Sequence, residues 1–157
     1  MAKQKLTEGM KAPGFSGMIS EGKERSLSEL EGKKVVLYFY PKDNTPGCTK
    51  EACAFRDAND KIKRAGAVVI GVSKDSPRSH ENFSGKLDLN FPLISDPDRK
   101  IISAYGVWKA KKMYGRSVMG VERSTFLIDE KGTLRKIWRG VKVPGHVDEV
   151  LAALREI

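Results

Sequence analysis

The 157-residue sequence is poor in cysteine, histidine and long apolar runs, and each shortage excludes something. Its two cysteines, Cys48 and Cys53, are too few for the disulfide framework that staples small secreted domains. Four residues separate them, so the C-x-x-C motif of a dithiol oxidoreductase is absent, and disulfide exchange on protein clients is the weaker of two redox readings. The two histidines, His80 and His146, lie in segments distant from the cysteines. That is not a zinc-ligand spacing, and no metal or organic cofactor is expected. No run is long and apolar enough to span a bilayer, and residues 1–5 lead into polar sequence without the apolar core of a secretory leader. The expected location is therefore the cytoplasm, with no membrane partner. Internal repeats, low-complexity segments and interdomain linkers are missing as well. At 39% hydrophobic and 31% charged residues, the chain reads as one globular domain over residues 1–157.

Negative charge is also in deficit, with 20 Asp and Glu against 29 Lys and Arg, for a net charge of +9. This raises nucleic-acid binding as a competing function, the more so because Lys109, Lys111, Lys112 and Arg116 interleave with Trp108 and Tyr114. No nucleic-acid motif accompanies the cluster, and the other basic residues are spread along the chain. No specific nucleic-acid partner is expected; steering of an acidic protein partner is the stronger reading.

What the chain does contain is concentrated around its cysteines. Residues 35–40, Val-Val-Leu-Tyr-Phe-Tyr, form an apolar run that reads as a buried strand. A polar loop with Pro41, Pro46 and Gly47 follows. Thr45 is a good helix N-cap, Pro46 suits the first helical position where no amide hydrogen is needed, and Cys48 then falls at the third. Its sulfur would face unpaired backbone N–H groups and the positive end of the helix dipole, which favour thiolate over thiol. The alternative is a packed, inert thiol, since cysteine is among the most often buried residues. The polar loop points instead to an accessible, electropositive setting. Cys53 sits among Ala52, Ala54, Phe55 and Ala58, where alone it reads as packing.

The remaining elements alternate. The cysteine helix should run to Arg64 and stop at Ala65-Gly66, and residues 67–73 form a second buried strand. Asp75-Ser76-Pro77 opens a helix towards Leu87, residues 91–94 are extended, and a helix covers about residues 98–105. Residues 125–129 and 134–139 form a hairpin. Pro144-Gly145 opens a terminal helix with the stripe Val147, Val150, Leu151 and Leu154. With a hairpin-like stretch over residues 15–26, the order predicts an α/β fold with a mixed central sheet and helices on both faces.

The segment from Phe39 to Asp57 resembles the active-site motif of peroxiredoxins, P-x-x-x-T-x-x-C, here Pro41, Thr45 and Cys48. A second cysteine five residues on resembles their Q subfamily. Residues 122–129, with Arg123, are similar to the family's arginine-bearing strand; the preceding loop from Tyr105 to Gly115 and the Ala12-Pro13-x-Phe15 segment match too. Gly14 departs from the acidic residue usual there. The resemblance covers essentially the whole chain. It implies a thioredoxin-like fold and a thiol peroxidase. Cys48 would attack the peroxide, and Cys53 would resolve the resulting sulfenic acid. Thr45 would place its hydroxyl between sulfur and peroxide, Pro41 would shield the sulfur and shape the pocket, Arg123 would stabilise the thiolate and the negative charge developing on the leaving oxygen, and thioredoxin or a similar dithiol would return the electrons. A monomer or weak dimer is expected.

Overall fold

The structure, a computed structural model, describes residues 5–20 and 23–157. The first four residues of the polar N-terminal stretch, and the turn expected within residues 15–26, lie outside the described residues.

β1 (Ser16–Ser20) and β2 (Lys23–Ser26) pair antiparallel, and a 3-10 turn (Leu27–Leu30) follows, its start closed by Ser26 and Glu29 as a capping box. β3 (Lys34–Phe39) has no polar face, and every residue after Lys34 is buried. Such a strand must be covered on both sides. α1 (Pro46–Arg64) ends in basic residues, complementing the dipole, and Gly66 takes the left-handed φ of +82° that stops it. β4 (Ala67–Ser73), α2 (Pro77–Leu87) and β5 (Leu93–Ser95) come next, with Ser76 capping α2 by accepting from Ser79 N–H at 3.1 Å. α3 (Lys100–Ala104) is shorter than the sequence predicts, because Arg99 adopts a left-handed φ of +59° at its start.

The segment read as a loop over residues 105–115 is instead half of a hairpin, β6 (Trp108–Met113) paired with β7 (Arg116–Val121). It forms a sheet of its own. β8 (Ser124–Ile128), β9 (Leu134–Arg139) and α4 (His146–Arg155) complete the chain as expected. The main sheet has the order β2-β1-β5-β4-β3-β8-β9, with β3 parallel to β4 and antiparallel to β8. This is the mixed sheet anticipated.

Alternation along β3 divides the core. Val36 and Tyr38 face Phe55 and Ile62 of α1, Phe83 of α2 and Val150 and Leu154 of α4. Val35, Leu37 and Phe39 face Ile101 and Ile102 of α3, with Tyr105 and Phe126. At its outer edge, β9 meets the N-terminal segment: Gly9 N–H donates to the Leu134 carbonyl at 2.7 Å and Leu134 N–H to Met10 at 2.8 Å. The Glu8 carboxylate accepts from Ile137 N–H at 3.3 Å.

Candidate active site

β3 ends against a short loop that delivers Cys48 to the third position of α1. The expected helix register holds, but two local expectations do not. Cys48 is only 2% exposed and packs with the core cluster around Tyr38 and Phe55, where an accessible thiol was expected. The first turn of α1 turns inward, because Glu51 and Ala52 one helical turn on and Phe55 two turns on lie on the same buried face. Thr45 occupies the N-cap position with extended backbone, yet its hydroxyl caps nothing. It donates to the Lys42 carbonyl at 2.9 Å, closing the loop upon itself.

Arg123 lies in the two-residue link between β7 and β8, a position that is far from Cys48 in sequence and adjacent in space. Its backbone is fixed by the Val141 N–H donating to its carbonyl at 2.9 Å, while the neighbouring Glu122 N–H donates to Val107 at 2.7 Å. The guanidinium forks. Nη2 donates to Cys48 Sγ at 3.4 Å and Nη1 to Glu51 Oε1 at 2.7 Å. Gly47 makes room for it: a Cβ there would stand 3.1 Å from Nη2. The sulfur thus sits against a permanently charged, donor-bearing side chain.

Glu51 was missed by the sequence reading. Fully buried, it keeps one oxygen, Oε2, without a partner among the described residues, as does the hydroxyl of neighbouring Tyr38. Burial pushes the Glu51 carboxyl up to about 7, against the charge of Arg123 and its hydrogen bond. The signal that could have found it is its spacing of three from Cys48, which places both on one helix face. Lys111, from β6, is partly buried and donates to the Val121 carbonyl; burial first, then the charge of Arg123, lowers its pKa.

Pro41 and Thr45 are half-buried on the approach to Cys48. The structure thus brings Cys48 and Arg123 together at a helix start whose N-cap is Thr45, with Pro41 four residues before that cap. Cys53 is not part of that cluster. It is a free, partly exposed thiol on the same unbroken helix. Five helical residues give about 7.5 Å of rise and about 140° of rotation, so its Cα lies roughly 8 to 9 Å from that of Cys48 on another face.

Comparison with known proteins bears on these residues. The chain matches the AhpC/TSA family over residues 9–137. It is 50% identical to peroxiredoxin Bcp of Bacillus subtilis over 149 residues, which cover 95% of each chain. The solved bacterioferritin comigratory protein of Xanthomonas campestris, described for its alkyl peroxide reduction activity, is 46% identical, covers 90% of each chain and superposes with a TM-score of 0.86. PrxQ of Xylella fastidiosa is 40% identical over 98% of each chain, with a TM-score of 0.92. A helix-borne cysteine under an arginine, on a mixed sheet shared with these proteins, makes the chain a member of the AhpC/TSA family and, within it, a thioredoxin-fold peroxiredoxin of the Bcp/PrxQ kind.

Proposed function

We propose that this thiol peroxidase reduces hydrogen peroxide and organic hydroperoxides through Cys48, and that Cys53 resolves the product. The observation that carries the reading is the fork of Arg123 between Cys48 Sγ and Glu51. The thiolate attacks one peroxide oxygen, the O–O bond breaks, and Cys48 becomes a sulfenic acid as an alkoxide or hydroxide departs and takes up a proton. Arg123, always charged, stabilises the sulfur before attack and the leaving oxygen after it. Because the Thr45 hydroxyl spends its proton on the Lys42 carbonyl, its lone pairs are left to accept from the peroxide O–H. Pro41 excludes water from the sulfur.

Resolution needs the Cys53 thiol to attack the sulfenic sulfur and expel water, giving a Cys48–Cys53 disulfide. A disulfide requires Cα atoms within about 7 Å and converging Cβ vectors. The intact helix cannot supply either, so the first turns of α1 unwind after oxidation. A thioredoxin-like dithiol then reduces the bond and becomes a disulfide itself. The reaction takes place in the cytoplasm, with the protein a monomer or weak dimer. Among the described residues no helix is long and apolar enough to cross a membrane. The test is peroxide consumption with a dithiol reductant by the wild type and by Cys48→Ser. The variant is expected to stay folded and lose turnover; substantial residual turnover would remove Cys48 from its role.

A further inference from the structure

Behind the sulfur, the loop over residues 41–45 is tied down by a buried polar network that the peroxide chemistry does not use. The Asp43 carboxylate, 4% exposed, accepts from the Tyr40 hydroxyl at 2.6 Å on Oδ1 and from the Ser79 hydroxyl at 2.8 Å on Oδ2. His80 Nδ1 lies 2.8 Å from that same Oδ2. The backbone N–H of Asp43 donates to Asp75 Oδ2 at 2.9 Å, an oxygen that also accepts from the Ser73 hydroxyl at 2.7 Å. On the far side of the ring, His80 Nε2 faces the Ile94 carbonyl at 3.0 Å. Ser73 Oγ, 3.5 Å from Nε2, has its proton committed to Asp75.

A carbonyl oxygen can only accept, and a carboxyl group fed by two hydroxyl donors is an acceptor too. Both nitrogens of His80 are therefore required to donate, whereas a neutral imidazole has one N–H and would leave a lone pair facing an acceptor inside the core. The groups around the ring are consistent with a cation. Asp43 comes from the loop and Tyr40 from the end of β3, Ser73 and Asp75 from the end of β4, and Ile94 from β5. Burial works against the Asp43 charge, but hydrogen bonds from His80 and Tyr40, with the charge of His80, outweigh it and hold the carboxyl below the usual aspartate range. Oxygens of Asp43 and Asp75 and a nitrogen of His80 also come within 4.8 Å of one another, as metal ligands would. Their lone pairs already receive the hydrogen bonds above, so the trio is a hydrogen-bond network.

We propose that Asp43 and His80 form a buried aspartate–imidazolium pair that positions the 41–45 loop for the peroxide step. Asp43 is held through backbone and side chain alike, two residues from Pro41 and two from Thr45. Asn44 beside it takes a left-handed φ of +64°, a conformation asparagine accommodates and that turns the loop towards Thr45. When the first turns of α1 open, the pair keeps the loop registered on α2 and β4, ready for α1 to re-form. The inference rests on Cys48 being the peroxide-reactive group, since Pro41 and Thr45 act only there.

Long-range proton–nitrogen spectra of the reduced wild type, labelled with 15N at histidine, are expected to show both His80 nitrogens protonated at pH 7. Asp43→Asn and His80→Gln are expected to slow single-turnover oxidation by hydrogen peroxide on the order of 10- to 100-fold, with reduction of the oxidised protein by dithiothreitol within about twofold of wild type. Absence of peroxide reactivity in the wild type would strike the functional reading itself. A reactive wild type with a neutral His80 overturns the positioning pair alone, and so do folded variants in which the peroxide step is unchanged or both steps slow equally. Should neither variant fold, the wild-type spectrum decides.

Discussion

Replacing Glu51 with glutamine tests the electrostatics of the site through stability. The side chain is fully buried and its carboxyl is pushed up to about 7 from an ordinary value of 4.5. Between those two values the native state holds a proton that the unfolded chain has released, so unfolding free energy falls as pH rises across the window. The penalty is absent below about pH 4.5 and complete above about pH 7. At about 1.4 kcal/mol per pH unit it amounts to roughly 3 kcal/mol. Glutamine keeps the shape and an oxygen that can accept from Arg123 Nη1, but cannot ionise. The charge pairing with Arg123 titrates together with Glu51 and is already contained in its raised value, so the whole pH-dependent contribution of this side chain vanishes in the variant. Urea denaturation should be followed from pH 4.5 to 8 at fixed ionic strength, in a Cys48→Ser background that removes the sulfur's own ionisation. The stability of Glu51→Gln relative to its parent is expected to rise by roughly 3 kcal/mol across that range, with m unchanged. Parallel curves would refute the buried, poorly satisfied carboxylate.

The other predictions concern the cycle and the charge. Amide hydrogen exchange across about residues 49–55 is expected to lose protection when the Cys48–Cys53 disulfide forms, with the bond located by mass mapping; unchanged protection would refute unwinding, and exclusively intermolecular bonds would remove Cys53 from resolution. Arg123→Lys is expected to react with peroxide on the order of 10- to 100-fold more slowly at a nearly unchanged melting temperature, because one ammonium cannot fork between Cys48 and Glu51. Equal rates would place Arg123 outside the site. DNA and RNA are expected to bind weakly and to be released by salt, as a net charge of +9 without a recognition motif requires. Affinity tighter than about 1 μM at 0.15 M salt would revive the nucleic-acid reading.

Helices and buried strands were legible because their patterns are local. α1 and β4 begin and end where Thr45, Ala65-Gly66 and the apolar run say they should. The β6–β7 hairpin was not legible. Its strands carry lysines and an exposed Val118 and Met119 in place of an alternating apolar face, and its turn places Tyr114, 99% exposed, at φ +54° before Gly115 at +76°. Two positive φ values in succession mark a type I′ turn, usually announced by Asn-Gly or Asp-Gly. Tyrosine in the first slot hid it. Glu51 was overlooked for a different reason: its spacing from Cys48 marks the face, but beside Lys50 it reads as a solvated helix residue, and only Arg123, arriving from a distant link, partners it inside. The burial of Cys48 likewise depends on the packing of Tyr38 and Phe55, which no local pattern states.

The contact between residues 8–10 and β9 bears on how the margin of the sheet is covered. A strand at the margin of a sheet offers unpaired amides and carbonyls to any extended chain that passes, and natural proteins blunt such margins with charge or cover. The opposite margin, β2, is four residues long and begins Lys23-Glu24-Arg25, a poor template. β9 is longer and carries the adjacent pair Ile137-Trp138 between basic residues, so its protection has to be supplied from outside. Gly9, Met10 and the Glu8 carboxylate supply it, occupying both polar groups of Leu134 and the amide of Ile137. Those few residues act as a doorstop on the sheet. A chain shortened past Met10 would keep Cys48, Arg123 and the whole sheet, and its first defect would be self-association along β9 at rising concentration, well before any loss of peroxidase chemistry.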